Sequence, residues 1–129
     1  RLELRGQFAY VSVSNAAELN DALGRAVGVD PNVASAMRGF YGEASYRVIS
    51  GARIGDVGIF TRYENFDTQY RMPHGYVPLE EFDRDAFTTG ATYWPDPDIA
   101  IKVDYSIVRS KSAILPAPNS FNIGLGWWF

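Results

Sequence analysis

Strict alternation of apolar and polar side chains constrains this 129-residue chain more than any other feature of its sequence. A period of two is typical of β-strands, and it predicts strands over 2–13, 39–49, 55–66, 86–94, 99–109 and 120–129. One face of these six segments carries 28 positions, none of them charged. The 28 are Leu2, Leu4, Gly6, Phe8, Tyr10, Phe40, Gly42, Ala44, Tyr46, Val48, Val57, Ile59, Thr61, Tyr63, Phe87, Thr89, Ala91, Tyr93, Ile99, Ile101, Val103, Tyr105, Ile107, Phe121, Ile123, Leu125, Trp127 and Phe129. The alternate positions read as polar, charged or small.

Composition removes several classes of protein. The chain has no Cys, which excludes disulfide frameworks and thiol chemistry. A net charge of −3, from 12 Lys+Arg and 15 Asp+Glu, argues against a nucleic-acid binder. With 47% hydrophobic and 15% aromatic residues the chain is too apolar for a disordered segment. No apolar run is long enough for a transmembrane helix.

The predicted connections alternate between short and long. Those at 50–53 and 95–98 are short, whereas those at about 14–38, 67–85 and 110–119 are long. The one predicted helix, 16–25, lies in the first long connection, with Asn15 as N-cap and Glu18 near the N3 position. Short connections on one edge and long ones on the other are typical of transmembrane β-barrels. The predicted fold is therefore all-β, an antiparallel up-and-down transmembrane β-barrel.

An uncharged face has two explanations. A barrel strand must keep charge off its lipid face, where an Arg or Lys at the midplane costs about 2–4 kcal/mol. An antiparallel sheet packed on a soluble core also alternates. The breadth of the face, the aromatic residues at strand ends and the predicted strand lengths, which suit a tilted crossing of a bilayer, favour lipid. The soluble alternative, a β-sandwich or lipocalin-like binding module, stays open.

Several segments resemble bacterial outer-membrane porins of the phosphate-selective O/P type. The segments 60–69 (FTRYENFDTQ), 88–95 (TTGATYWP) and 101–105 (IKVDY) are similar to the last strands of that family, and 39–46 (GFYGEASY) is similar to another. The C-terminal segment 121–129 resembles the signal that the outer-membrane barrel-assembly machinery reads. The residues of that presumed signal are Phe121, Ile123, Leu125, Trp127 and Phe129.

The resemblance implies a location, an assembly and partners. It implies the outer membrane of a Gram-negative bacterium, a homotrimer, contact with outer-membrane lipid and with the assembly machinery, and no cofactor. Single-chain bacterial barrels start at eight strands, and six cannot close one. Residues 1–129 are therefore expected to be the C-terminal six-strand segment of a larger barrel, with a helix-containing external loop at about 14–38. Remaining strands of the same or other chains would complete it.

Charged residues on the face opposite the uncharged one are the candidate pore lining. In a water-filled pore such charges set ion preference. The simpler interpretation is charge pairing between neighbouring strands, each pair contributing about 0.2–1 kcal/mol. Both signs are about equally represented, so no anion selectivity follows. The candidates are Glu3, Arg5, Glu43, Arg47, Arg62, Glu64, Lys102 and Asp104.

No motif for enzymatic catalysis, nucleotide binding or metal binding appears. His74, in the 67–85 connection, is expected to be solvated, although that connection could also fold into the lumen as a constriction. The primary hypothesis is a porin that lets small hydrophilic or anionic solutes diffuse passively. A barrel with a closed pore, serving as scaffold or adhesion protein, is the alternative.

Overall fold

The computed structural model describes residues 1–28 and 31–128 and contains one antiparallel sheet of six strands. The strands lie side by side in chain order, so every neighbouring pair is joined by one connection. This confirms the all-β prediction. The sheet is open, with β1 and β6 at its two edges. The elements are β1 (Leu2–Ser12), α1 (Ala16–Val27), β2 (Ala36–Ile49), β3 (Asp56–Arg71), a 3₁₀ turn (Glu80–Phe82), β4 (Asp83–Asp96), β5 (Ile99–Ser110) and β6 (Ser120–Trp127).

The second long connection is shorter than the sequence pattern predicts. It covers 72–82 rather than 67–85, because β3 continues to Arg71 and β4 begins at Asp83. In this extension Asp67 lies directly opposite Asp83. Backbone hydrogen bonds continue the strand pairing there, although the polar side chains of this segment are typical of a loop.

The short connections all lie at one end of the strands and the long connections at the other end, as predicted. Residues 50–55 and 97–98 make the short connections, and 13–35, 72–82 and 111–119 make the long ones. Pro95 was predicted to lie in a turn but belongs to β4, at a register shift between Tyr93 and Asp96. Proline lacks the N–H that a regular ladder needs, so strands accommodate it at such irregularities.

The register brings the uncharged positions of all six strands onto one face, called here the apolar face. Cross-strand partners form a continuous row across the whole sheet. The row runs through Leu4, Ala44, Thr61, Thr89, Tyr105 and Phe121. Because side chains alternate along each strand, the charged candidates share the opposite face, called here the polar face.

Within residues 1–28 and 31–128 no second layer covers the apolar face. Leu4 and Ile123 are each 71% exposed, and Phe60, on the polar face, is the one large apolar side chain among the buried ones. The accessible surface is 8961 Å². A globular monomer of 14.4 kDa exposes about 6,800 Å². The sheet therefore lacks the hydrophobic core of a soluble domain of its size.

Helix α1 belongs to the first long connection and runs two residues past its predicted end. Asn15 does precede it, but in the left-handed conformation (φ 54°) and without a capping hydrogen bond from its side chain, so the predicted capping role is wrong. The buried side of the helix consists of Ala16 and Asn20, one turn apart. No helix among the described residues is long and apolar enough to cross a membrane.

Buried amides join two long connections into one unit. The Asn20 side chain donates to Val33 O at 2.9 Å and accepts from Val33 N at 2.7 Å. The Gln69 side chain donates to Asn32 O at 2.9 Å and accepts from Leu79 N at 2.7 Å. Connections 13–35 and 72–82 therefore form a single cap at the end of the strands where the long connections lie.

Candidate functional site

The register gathers the charged candidates on the polar face. Arg5 lies opposite Glu43, and Glu43 lies opposite Arg62, so charges of alternating sign cross β1, β2 and β3. Lys102 and Asp104 lie on the same face of β5, opposite Thr92 and Gly90 of β4. The sequence pattern therefore identified which side chains share a face, although it could not predict which residues of neighbouring strands lie opposite each other.

Ion pairing on the polar face runs mostly along the strands rather than between them. Three pairs join residues two apart in one strand. Glu3 and Arg5 are 2.7 Å apart, Arg62 and Glu64 3.1 Å, and Lys102 and Asp104 3.8 Å. A fourth pair connects neighbouring strands, with Arg47 Nη1 2.9 Å from the Asp56 carboxylate. Asp56 was missed as a candidate because it lies at the start of β3, next to a turn.

Three of these cations also stack on aromatic rings of the polar face. The Arg62 guanidinium lies 4.0 Å from the centre of the Tyr41 ring. The guanidinium of Arg47 lies 4.7 Å from the Trp94 ring, and the Lys102 ammonium 4.2 Å from the Phe60 ring. Such contacts contribute about 0.5–1 kcal/mol at exposed sites. Each basic side chain is thus held between a ring and a carboxylate.

Large rings on the polar face correct the expectation that this face carries only polar, charged or small residues. Two of these rings, those of Phe60 and Trp94, cover a glycine. Phe60 lies directly opposite Gly90, and a Cβ on Gly90 would approach Phe60 Cε1 to 2.7 Å. A Cβ on Gly58 would lie 3.0 Å from Trp94 Cζ3. An aromatic residue opposite a glycine is the sequence signal for this packing, but the register is needed to know which residues lie opposite each other.

A hollow of about 460 Å³ opens on the polar face, and residues of β1, β2, β3, β4 and β5 line it. Its lining includes Arg1, Arg5, Arg47, Arg62 and Lys102 together with Glu3 and Glu43. The carboxylates of Asp56, Glu64 and Asp104 balance the remaining cations through the ion pairs above. The hollow therefore carries many charged groups, but its net charge is close to zero. Such a surface suits contact with water and small hydrophilic solutes.

Outside the polar face, the structure gives the surroundings of His74 and of Lys111. His74 lies in a turn of connection 72–82, where Tyr76 N donates to Pro73 O at 3.2 Å. No group of three or more His, Cys, Asp or Glu side chains in the described part of the chain could hold a metal ion. Lys111, beyond the end of β5, pairs with Asp83, and the hydrogen bond to that carboxylate raises the pKa of Lys111.

The residues of the presumed barrel-assembly signal lie on the last strand. Phe121, Ile123, Leu125 and Trp127 all point from β6 to the apolar face, opposite apolar residues of β5, and each is more than half exposed. Phe129, the last of the five, lies outside the described residues. The edge strand β6 thus presents an uninterrupted apolar row.

Comparisons with known proteins identify one relative and no family. No protein-family model matches the chain, and no solved structure matches it. An uncharacterized protein of Aquifex aeolicus (strain VF5) is 30% identical over an alignment of 126 residues that covers 94% of this chain. The chain spans 28% of the length of that relative.

Proposed function

We propose that this chain forms part of the wall of an outer-membrane porin through which small hydrophilic or anionic solutes diffuse passively. The observation that carries the proposal is a single-layer sheet with one uncharged, exposed face and one face of paired charges. Lipid on the first and water on the second would satisfy both.

The exposed apolar face is the first support. A monomeric soluble protein rarely exposes an apolar patch larger than a few hundred Å². Here the apolar face spans six strands, and large side chains such as Leu4, Ile59 and Ile123 are about half exposed or more. Hydrocarbon is a solvent in which such a face needs no second protein layer.

The height of the apolar face is the second support. On β5 it extends over 99–107, which is eight residue steps. At about 3.4 Å per residue and a tilt of about 40°, those steps cover about 21 Å along the membrane normal. Outer-membrane barrels carry an apolar band of about 25 Å, flanked by aromatic residues.

The two outermost strands of the sheet support the proposal that further strands complete the wall. β1 and β6 each present a row of backbone donors and acceptors without a neighbouring strand in the described residues. A lipid environment offers no water to satisfy these groups, so spanning sheets close into barrels. The chain spans 28% of the length of the relative from Aquifex aeolicus, so a protein of that length has ample chain for further strands.

The remaining parts of the proposal follow from the resemblance to phosphate-selective O/P-type porins. They are a Gram-negative outer membrane, a trimer, insertion by the barrel-assembly machinery, and transport without cofactor or chemical step. The pairing of each cation with a carboxylate predicts that this part of the wall contributes little charge selectivity of its own.

Single-channel recording tests the proposal. The protein at its full natural length, reconstituted in planar phosphatidylcholine bilayers, should give stepwise increases in steady current in 1 M KCl. Insertion without steady current would favour the scaffold or adhesion alternative. A monodisperse, folded protein that needs no detergent would overturn the membrane assignment and favour the soluble binding module.

A further inference from the structure

Arg38 differs from the other basic side chains that stack on aromatic rings. Its guanidinium lies 3.9 Å from the centre of the Tyr70 ring. Four such cation–ring contacts occur among the described residues, and the three on the polar face each include an ion pair. Within residues 1–28 and 31–128, no carboxylate oxygen lies within 4.0 Å of the Arg38 guanidinium nitrogens. Arg38 is an exposed, fixed cation without a counter-ion in the described chain.

The nearest candidate for a counter-ion is engaged elsewhere. Asp67 is the cross-strand partner of Arg38. Its carboxylate instead accepts a hydrogen bond from the backbone N–H of Gln69 at 2.9 Å. The guanidinium of Arg38 turns to the ring of Tyr70, which leaves its in-plane N–H groups available to an external acceptor.

Arg38 lies at the end of the apolar face. It is opposite Tyr10, whose ring meets the ring of Tyr70 edge-on at 6.5 Å between centroids. The register of β2 and β3 shifts between Ala36 and Arg38, and this irregularity brings Tyr70 beside Tyr10. All three residues lie where their strands meet the long connections. Two tyrosines and a cation therefore mark that border of the apolar face.

We infer that Arg38, held by Tyr70 and flanked by Tyr10, binds the phosphate of an acidic lipid headgroup. The inference rests on the proposed function, since it needs lipid on the apolar face. Tyrosine is enriched where hydrocarbon meets water, the depth at which lipid phosphates lie. A guanidinium matches phosphate with two parallel N–H donors. A lipid is the source because Arg38 shares the apolar face, whereas the stacked cations of the polar face are already paired.

Native mass spectrometry of the full-length protein in detergent micelles tests this site. The probes are dioleoyl-phosphatidic acid and dioleoyl-phosphatidylcholine, each titrated separately. The wild-type protein should bind its first molecule of phosphatidic acid at least about fivefold more tightly than its first molecule of phosphatidylcholine. This ratio corresponds to about 1 kcal/mol, the contribution of one basic residue at an anionic surface. Arg38→Gln should abolish this preference, and Tyr70→Leu, which removes the ring that holds the guanidinium, should reduce it.

Two further variants separate the site from general effects. Arg25→Gln removes the same charge from an exposed position on α1 and should keep the full preference. Arg38→Lys keeps the charge without the planar donors and should give an intermediate value. It also keeps the test open should Arg38→Gln not fold. Equal binding of both lipids by wild-type protein, or an unchanged preference in Arg38→Gln, would overturn the inference.

Two controls distinguish the possible failures. Inorganic phosphate that removes the preference at the same concentration as the lipid would identify a free-phosphate site and contradict the lipid assignment. Partition of the protein into pure phosphatidylcholine vesicles is measured separately. Partition without headgroup preference overturns only the Arg38 site, whereas absence of partition overturns the proposed function itself.

Discussion

Phe60 lies across the ladder from Gly90, and its ring occupies the space that a side chain at position 90 would need. The Lys102 ammonium then lies 4.2 Å from the centre of that ring. Glycine, ring and cation thus form three layers on the polar face. The absence of a side chain at position 90 is what allows a large apolar ring to be buried on the face that carries the ion pairs.

Gly90→Ala should destabilise the sheet. The added Cβ would lie 2.7 Å from Phe60 Cε1 and closer still to the carbonyl oxygen of Val103, so the backbone of β5 must shift. Such overpacking costs about 1–3 kcal/mol. The free energy of unfolding in urea, measured in phosphatidylcholine vesicles, should fall by that amount. Gly124→Ala is the matched control, because nothing lies within 4 Å of its added Cβ. Equal effects at both positions would contradict the layered packing.

Ala44→Arg and Ser45→Arg should differ sharply, although the positions are adjacent. Ala44 belongs to the apolar row across the sheet, whereas Ser45 lies on the polar face opposite Glu3. An Arg on the lipid face near the midplane costs about 2–4 kcal/mol, and an Arg facing water costs far less. The free energy of unfolding from vesicles measures the difference. Similar losses for the two variants would argue against lipid on the apolar face.

Glu64→Gln should make the pore more permeable to anions. The substitution removes the carboxylate 3.1 Å from Arg62 but leaves that guanidinium on the ring of Tyr41. An unbalanced cation in a pore lining attracts anions. The reversal potential across a KCl gradient should therefore shift toward the chloride value. Arg62→Gln should shift it the opposite way, and no shift in either variant would mean that this pair does not face the conducting path.

Gln69→Leu should loosen the cap without unfolding the sheet. The Gln69 amide is buried and connects Asn32 O with Leu79 N, both of which lose a partner in the variant. Each buried group left unsatisfied costs about 1–3 kcal/mol. Hydrogen exchange should become faster in 13–35 and 72–82 while the rates in β4 and β5 stay the same. Thr68→Val, at an exposed neighbouring position, should change neither.

The predicted strand positions and faces agree with the structure where side chains alternate cleanly. Period two alone places Ala44 on the same face as its neighbours of the same strand and Thr61 on the matching face of β3, whereas the register decides that the two lie opposite each other. The prediction was wrong where polarity and backbone pairing disagree, as at Asp67 and Asp83, which read as loop but pair in the ladder. Side-chain pattern reports on what each face contacts, whereas the extent of a strand depends on backbone hydrogen bonds.

The amino-acid sequence by itself determined the class of fold, the two faces and the alternation of short and long connections. These features depend on local periodicity and on turn residues, both of which can be recognised in the linear sequence. Only the tertiary structure decided that Phe60 covers Gly90, that Gln69 joins two connections, and that Arg38 rests on Tyr70 without a carboxylate. The contacts of Phe60 with Gly90, of Gln69 with Asn32 and of Arg38 with Tyr70 each join residues 30 or more positions apart, and so exist only after the strands have aligned.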